Sequence, residues 1–442
     1  MTHPPTPPVD LALPSPEECR RIERGALALL RRNRRWARHP GDGRRLRYTC
    51  PSPGHYPFQW FWDSCFHAVA LAHLDPEAAR EELELLLSVQ PSSGFLPHII
   101  FWDRFRLASP GLFWAWVQSG GWGLPRHSAL IQPPVLAACV ERYQEVTGDS
   151  DFVRRALPAL DRYYAYLGRE RVSGGSPLLT ILGPWESGTD HRPSYDVALG
   201  LPYPGQPRDL VVRPRLIDLA NRRFGWAPEA LNRGGRFRVQ DVLVNAVYAD
   251  GLRTLARLHG LTGDGEGGGW QRRAETVEAA MLATLRGEDG FFYDRDRRSG
   301  RLLPARTVAG LTPLLCASLG EAEAAPLTAA LDDPRQFFTP YPVPSVAVRE
   351  PSFVPGELRR GAGILIWRGP TWTNANWLLW RALRRRGEEE RARRLAASAA
   401  ALVLRSGFRE YYDPFSGRGL GATSFGWSTL VVDMLLGTTG GN

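Results

Sequence analysis

Of the three carboxylates in the stretch GPWESGTDHRPSYD (183–196), two, Glu186 and Asp190, stand close beside a tryptophan and two glycines, without the apolar periodicity of a helix or a strand. Acids recur in two distant segments of similar character, Asp63 in YPFQWFWDSCFH and Glu410 in GFREYYDPFSGRGLGA. Cleavage of a glycosidic bond needs two carboxyl groups: one protonated, to give its proton to the leaving oxygen, and one acting as base or nucleophile on the opposite side. Segments so far apart supply a pair only if the fold brings them together. The plainer reading is that loop acids are solvated or cap helices.

Tryptophans crowd the same segments: Trp60, Trp62, Trp102, Trp114, Trp116, Trp122, Trp185 and Trp372. Rings with a polar edge stack on the C–H faces of a sugar while neighbouring polar groups bond its hydroxyls, so acids and tryptophans together suit a small carbohydrate. The competing reading is that large loops use aromatic rings as plugs for their own small cores.

Positioning these residues falls to a helical scaffold. Five places read as an amphipathic helix, a short polar turn and a second helix, with turns near Asp75, Gly148, Gly263, Gly320 and Gly387. Each turn has a glycine or Asp-Pro stop followed by acids suited to the next helix's N-terminus. With a helix near 16–36 and a last one near 424–437, six hairpins result if the first and last helices pack together. The expected fold is therefore all-α, an (α/α)6 barrel spanning 1–442 as a single domain; an open solenoid is disfavoured by the irregular spacing. Short and long connections alternate, so the long ones, roughly 37–62, 91–128, 168–239, 287–305, 332–373 and 406–423, share one face. Those at about 91–128, 168–239 and 332–373 are the main site-building loops.

Composition narrows the function classes. All 55 basic residues are arginine and the formal charge is +9, but the arginines alternate with acids, as in RRRGEEERARRL, so no nucleic-acid partner is expected. Five scattered cysteines without a CxxC pair suit reduced thiols in the cytoplasm. No apolar run approaches the roughly 18 residues of a membrane span, and the N-terminus lacks a signal peptide's pattern. No HExxH, paired Cys/His or EF-hand pattern occurs, so neither a metal nor a cofactor is expected. Nine histidines without a cluster disfavour the histidine-based sugar epimerases that also form helical toroids.

The blocks FWDSCFH, WESGTD, GPTWTNANWLL and EYYDPFSGRGLGA followed by FGWSTLVVDML resemble the signature blocks of glycoside hydrolase family 63, in particular its small bacterial mannosylglycerate and glucosylglycerate hydrolases. They run in order from about Tyr56 to Asp433. The resemblance implies an (α/α)6 barrel and inverting hydrolysis of an α-glycosidic bond. It makes Asp190 the general acid and Glu410 the general base, with carboxyl groups about 6.5–9.5 Å apart. It also implies a sugar subsite of Tyr56, Trp60, Asp63 and Trp372, with Gln132 of QPPVLA a further position; Trp185, from the set of loop tryptophans, is a further candidate for binding substrate. Glu186 is left to brace the loop, and Arg192 to point away from Asp190 or bind substrate. Arg213 and Arg215 in VVRPRL, Arg215 first, are candidates for a glycerate carboxylate, against the reading of a surface ion pair. Thr371 in GPTW departs from the aromatic residue expected in the glycerate-specific relatives. Two other functions stay open: an α-glucosidase acting on short oligosaccharides, and a catalytically silent sugar-binding toroid, against which the retention of both carboxylates argues.

Overall fold

A computed structural model describes residues 11–38, 43–102, 110–120, 126–263, 265–360 and 363–439. The helices in chain order are α1 (Pro16–Asn33), α2 (Phe61–Leu74), α3 (Pro76–Ser88), α4 (Pro110–Gln118), α5 (Leu136–Thr147), α6 (Ser150–Glu170), α7 (Tyr195–Ala198) and α8 (Pro207–Arg222). They continue with α9 (Pro228–Gly234), α10 (Val242–Thr262), α11 (Gly267–Thr284), α12 (Glu321–Asp332), α13 (Thr373–Arg385), α14 (Glu389–Ser406) and α15 (Val431–Thr439).

Local chemistry explains the hairpins. Asp75 ends α2 and caps α3 with its side chain on Ala78 N–H, while Pro76 starts the new helix where its missing N–H costs nothing. Gly148 closes α5 in the left-handed region, and Asp149 then caps α6 through Phe152 N–H. The inner helices form a closed circuit: α2 packs on α5, α5 on α10, α10 on the 3-10 segment Val308–Leu315, that segment on α13, α13 on the 3-10 segment Gly426–Leu430, and the last returns to α2. The outer layer is α3, α6, α11, α12, α14 and α1, the last packed against α15 as the sixth hairpin requires. One hairpin differs from expectation. Its inner member is the 3-10 segment Val308–Leu315, because Pro313 withholds an N–H and Gly310 adds backbone freedom where an α-helix would need neither.

Every long connection leaves an outer helix and delivers the chain to the start of an inner one, so all of them open at the same end of the ring. They are not structureless: among the described residues α4, α7, α8 and α9 lie within them, as do five two-stranded ladders, including Arg409–Tyr412 with Gly419–Thr423. Buried apolar side chains run continuously from Ile22 to Leu435 through the middle of the ring. No helix among the described residues is long and apolar enough to cross a membrane.

Candidate active site

At the open end, five of the six long connections converge on one pocket. The first supplies Tyr56 and Trp60, the second His98 and Gln132, the third Trp185 and Asp190, the fifth Trp367 and Trp372, and the sixth Glu410 and Phe425. Asp63 joins them from the first turn of α2. Both candidate catalytic carboxylates and the six expected sugar-binding residues, Tyr56, Trp60, Asp63, Gln132, Trp185 and Trp372, therefore line the same cavity. Arg215 does not: it is exposed on α8, with its guanidinium 4.5 Å above the Trp114 ring. The helix nevertheless reaches the pocket wall, because Asp218, one turn on, accepts the Trp185 indole N–H at 2.9 Å.

The walls are aromatic. Trp367 stacks on Trp372 with ring centres 3.8 Å apart and planes within 5°. Trp372 also meets Tyr411 and the edge of Trp427, and Tyr56 stands edge-on between Trp60 and Phe425. Trp62, one of the loop tryptophans singled out above, lines the pocket as well, whereas Trp367, Phe425 and Trp427 were missed by sequence reasoning; the last two lie inside a quoted block, but nothing local marks Trp367. His98 is buried and forms a wall, its ring edge-on to Trp60 at 4.8 Å. Other loop tryptophans follow the plug reading. Trp102 is buried with its N–H on Gln59 at 2.6 Å, and Trp116 lies under the Arg222 guanidinium. Trp122 lies outside the described residues.

Three polar groups in this apolar lining have no hydrogen-bond partner among the described residues: the indole N–H groups of Trp60 and Trp372, and one oxygen of Asp63. Buried polar atoms are ordinarily satisfied, so a set of donors and an acceptor left open around one cavity matches the hydroxyls of a ring-shaped polar ligand. Burial and the Glu410 charge together hold the Asp63 carboxyl well above the usual range. Asp63→Ala is expected to lower kcat/KM roughly 10–100-fold, the loss of a hydrogen bond worth about 1.5–3 kcal/mol. It should leave the fold intact or firmer, since it removes an unsatisfied buried group. Turnover near that of the parent would take Asp63 out of the site.

The two outer carboxylates sit in different surroundings. Asp190 keeps some surface open to the cavity, yet burial of its carboxyl and the charge of Glu410 raise its pKa to about 8. Glu410 accepts the Tyr56 hydroxyl on Oε1 at 2.9 Å and Ala422 N–H on Oε2 at 2.8 Å. Burial still lifts it to about 7, because those two donors offset only part of the desolvation. The group facing the rings is thus the harder to ionise and the group among donors the easier.

Glu186 and Arg192, beside Asp190 in sequence, are built into the scaffold. Glu186 is fully buried, accepts Ile131 and Leu182 N–H, and pairs with Arg171 at 2.7 Å. Arg171→Met is expected to cost about 3–5 kcal/mol, the penalty for leaving a buried charge without its partner. A urea midpoint matching the parent's would remove Arg171 as the support of this loop. Arg192 turns away to Asp241 and to Asp294, the latter at 2.7 Å, so its charge does not oppose protonation of Asp190. The loop's shape depends on Gly188: its φ is +65°, and a Cβ there would lie 2.5 Å from the Trp62 ring. Arg368 grips Asp196 with both guanidinium nitrogens, at 3.0 and 2.8 Å, and bonds the His191 carbonyl, tying the acid's loop to the segment that carries Trp367 and Trp372.

Similarity to known proteins extends over nearly the whole chain. A family model described as the mannosylglycerate hydrolase MGH1-like glycoside hydrolase domain matches residues 56–428. The chain belongs to that family. It is a glycoside hydrolase. Among similar proteins, the mannosylglycerate hydrolase of Thermus thermophilus is 34% identical over 438 residues, which cover 92% of this chain and 98% of that one. The glucosylglycerate hydrolase of Mycolicibacterium hassiacum is 30% identical, covering 87% and 93%. Crystal structures of a family 63 mannosylglycerate hydrolase from Thermus thermophilus, one with Tris and one with Tris and D-glycerate, align with TM-scores of 0.81 and 0.79. Both are 30% identical to this hydrolase and cover 94% of it and 100% of their own chain. The barrel of this hydrolase is thus the family 63 barrel.

Proposed function

We propose that the chain, acting as one catalytic domain, is an inverting α-glycosidase that hydrolyses a small α-mannoside or α-glucoside of glycerate. The observation that carries the reading is the pairing of Asp190 and Glu410 in one aromatic pocket, the first held at about 8 by burial and the Glu410 charge, the second bonded by Tyr56 and Ala422. In this reading Asp190 gives its proton to the glycosidic oxygen as the bond to the anomeric carbon breaks. Glu410 takes a proton from a water that attacks the same carbon from the opposite face. The cycle leaves Asp190 ionised and Glu410 protonated, and exchange with solvent resets both. Trp60, Asp63 and Trp372 bind the sugar hydroxyls, Gln132 anchors the start of α2 by accepting Trp62 N–H at 3.0 Å, and Trp185 forms the wall nearest the leaving group. The names of the similar enzymes support glycerate as that leaving group. Arg215 is assigned to its carboxylate, on the ground that α8 carries the guanidinium to within a turn of the residue bracing Trp185. Cytoplasmic placement belongs to the same proposal and rests on five unpaired thiols, four of them buried.

Incubation with a panel of α-mannosides and α-glucosides, glycerates and short oligosaccharides included, followed by proton NMR, tests substrate and stereochemistry together. The β-anomer of the free sugar is expected first, from a glycerate glycoside. An α-anomer as first product would overturn the inverting mechanism, and turnover confined to oligosaccharides would overturn the assignment of glycerate.

A further inference from the structure

Gly421 and Ala422 form a β-bulge beside Glu410. In the ladder of Arg409–Tyr412 with Gly419–Thr423, Gly419 pairs with Tyr412 and Leu420 with Tyr411, but the next pair is Thr423 with Arg409. Gly421 and Ala422 therefore both stand opposite Glu410. A bulge of this kind frees backbone groups from the ladder. Here the freed amides meet two carboxylates side by side: Ala422 N–H donates to Glu410 Oε2 at 2.8 Å, and Gly421 N–H donates to Glu357 Oε1 at 3.0 Å. The Gly421 carbonyl in turn accepts from the Arg409 guanidinium at 3.2 Å, so this residue is gripped at both ends. Only glycine fits: φ is +64°, and a Cβ would lie 2.6 Å from Glu410 Oε2.

We propose that Glu357 is a positioning residue for the base: by holding Gly421 N–H it fixes the bulge that seats Ala422 N–H on Glu410, and its negative charge keeps Glu410 avid for the water's proton. This rests on the reading of Glu410 as the base. The charged and titratable groups that act on Glu410 are Tyr56, Asp63, Asp190, Arg409 and Glu357. Among them Glu357 pushes the Glu410 pKa upward, while Tyr56 and Arg409 pull it down. A stronger base takes a proton more readily in the transition state, within the limit that it must still be ionised at working pH.

The test compares Glu357→Gln, Glu357→Ala and Glu410→Gln with the parent, in full pH profiles of kcat and kcat/KM on the best α-glycoside of the panel. Glu357→Gln keeps an acceptor for Gly421 N–H but loses the charge. Its acid limb is expected to move down by about one pH unit, with kcat several-fold lower and KM unchanged. Glu357→Ala also loses the grip and is expected to drop kcat about 10–100-fold at constant KM. Profiles of Glu357→Gln that superimpose on the parent would overturn the proposal. So would a loss as complete as that of Glu410→Gln with no acid limb remaining, which would make Glu357 the base itself. Failure of the underlying reading shows separately, as parental activity in Glu410→Gln.

Discussion

Asp190→Asn is expected to lower kcat on a glycerate glycoside by about 10²–10⁴-fold, the contribution of a well-placed general acid, with KM little changed. Asparagine keeps the shape and fills the same space among the rings, but it has no proton of suitable acidity to give. The loss is therefore expected to depend on the leaving group. A glycosyl fluoride or dinitrophenyl glycoside leaves as a weak base and needs no proton, so on such a substrate the variant is expected to keep most of the parent's rate. The pH profile gives a second sign. The parent requires Asp190 protonated, so activity falls as pH rises through about 8; in Asp190→Asn that alkaline limb is expected to vanish while the acid limb stays. An equal loss on good and poor leaving groups would remove Asp190 as the acid.

Glu410→Gln is expected to be at least as damaging, and in a different pattern. The base acts on water, whatever the aglycone, so a fall of about 10²–10⁴-fold is expected on fluorides and glycerates alike. In the parent, activity falls as pH drops through about 7, because Glu410 must be ionised to accept the proton. That limb is the one expected to disappear. A further effect follows from the coupling of the pair: the Glu410 charge is, after burial, the larger of the causes that raise Asp190, so the variant's Asp190 is expected to titrate lower than the parent's. Substrate binding measured by isothermal titration on Glu410→Gln should match the parent's KM, since Tyr56, Trp60 and Trp372 stay in place. Retention of turnover with an intact acid limb would mean that another group activates the water.

Much of the scaffold was legible from residue order alone. Helix starts and stops are local events: Asp75-Pro76 and Gly148-Asp149 cap their helices through atoms a few residues away, so spacing and residue type suffice to place them. The alternation of short and long connections is likewise a property of the chain, and it forces the loops to one end of any closed ring. The carboxylates Asp190 and Glu410 were picked out only by the blocks that resemble glycoside hydrolase family 63, since residue type and spacing alone did not separate them from Glu186 and Asp63.

Other features exist only once distant segments meet. Glu186 and Asp190 lie four residues apart, and nothing local says which is the brace: Glu186 is one because Arg171 and the amides of Ile131 and Leu182 surround it. The pocket wall at Trp367 depends on stacking with Trp372, and the hold on Gly421 depends on Glu357, 64 residues earlier in the chain. Ionisation is the clearest case. Asp190 and Glu410 have the same carboxyl chemistry in the extended chain, and their order of about 8 and about 7 arises from burial, mutual charge and the two donors on Glu410. Residue types decided which groups were available, whereas dielectric and contact, which the folded chain alone creates, decided which one holds its proton.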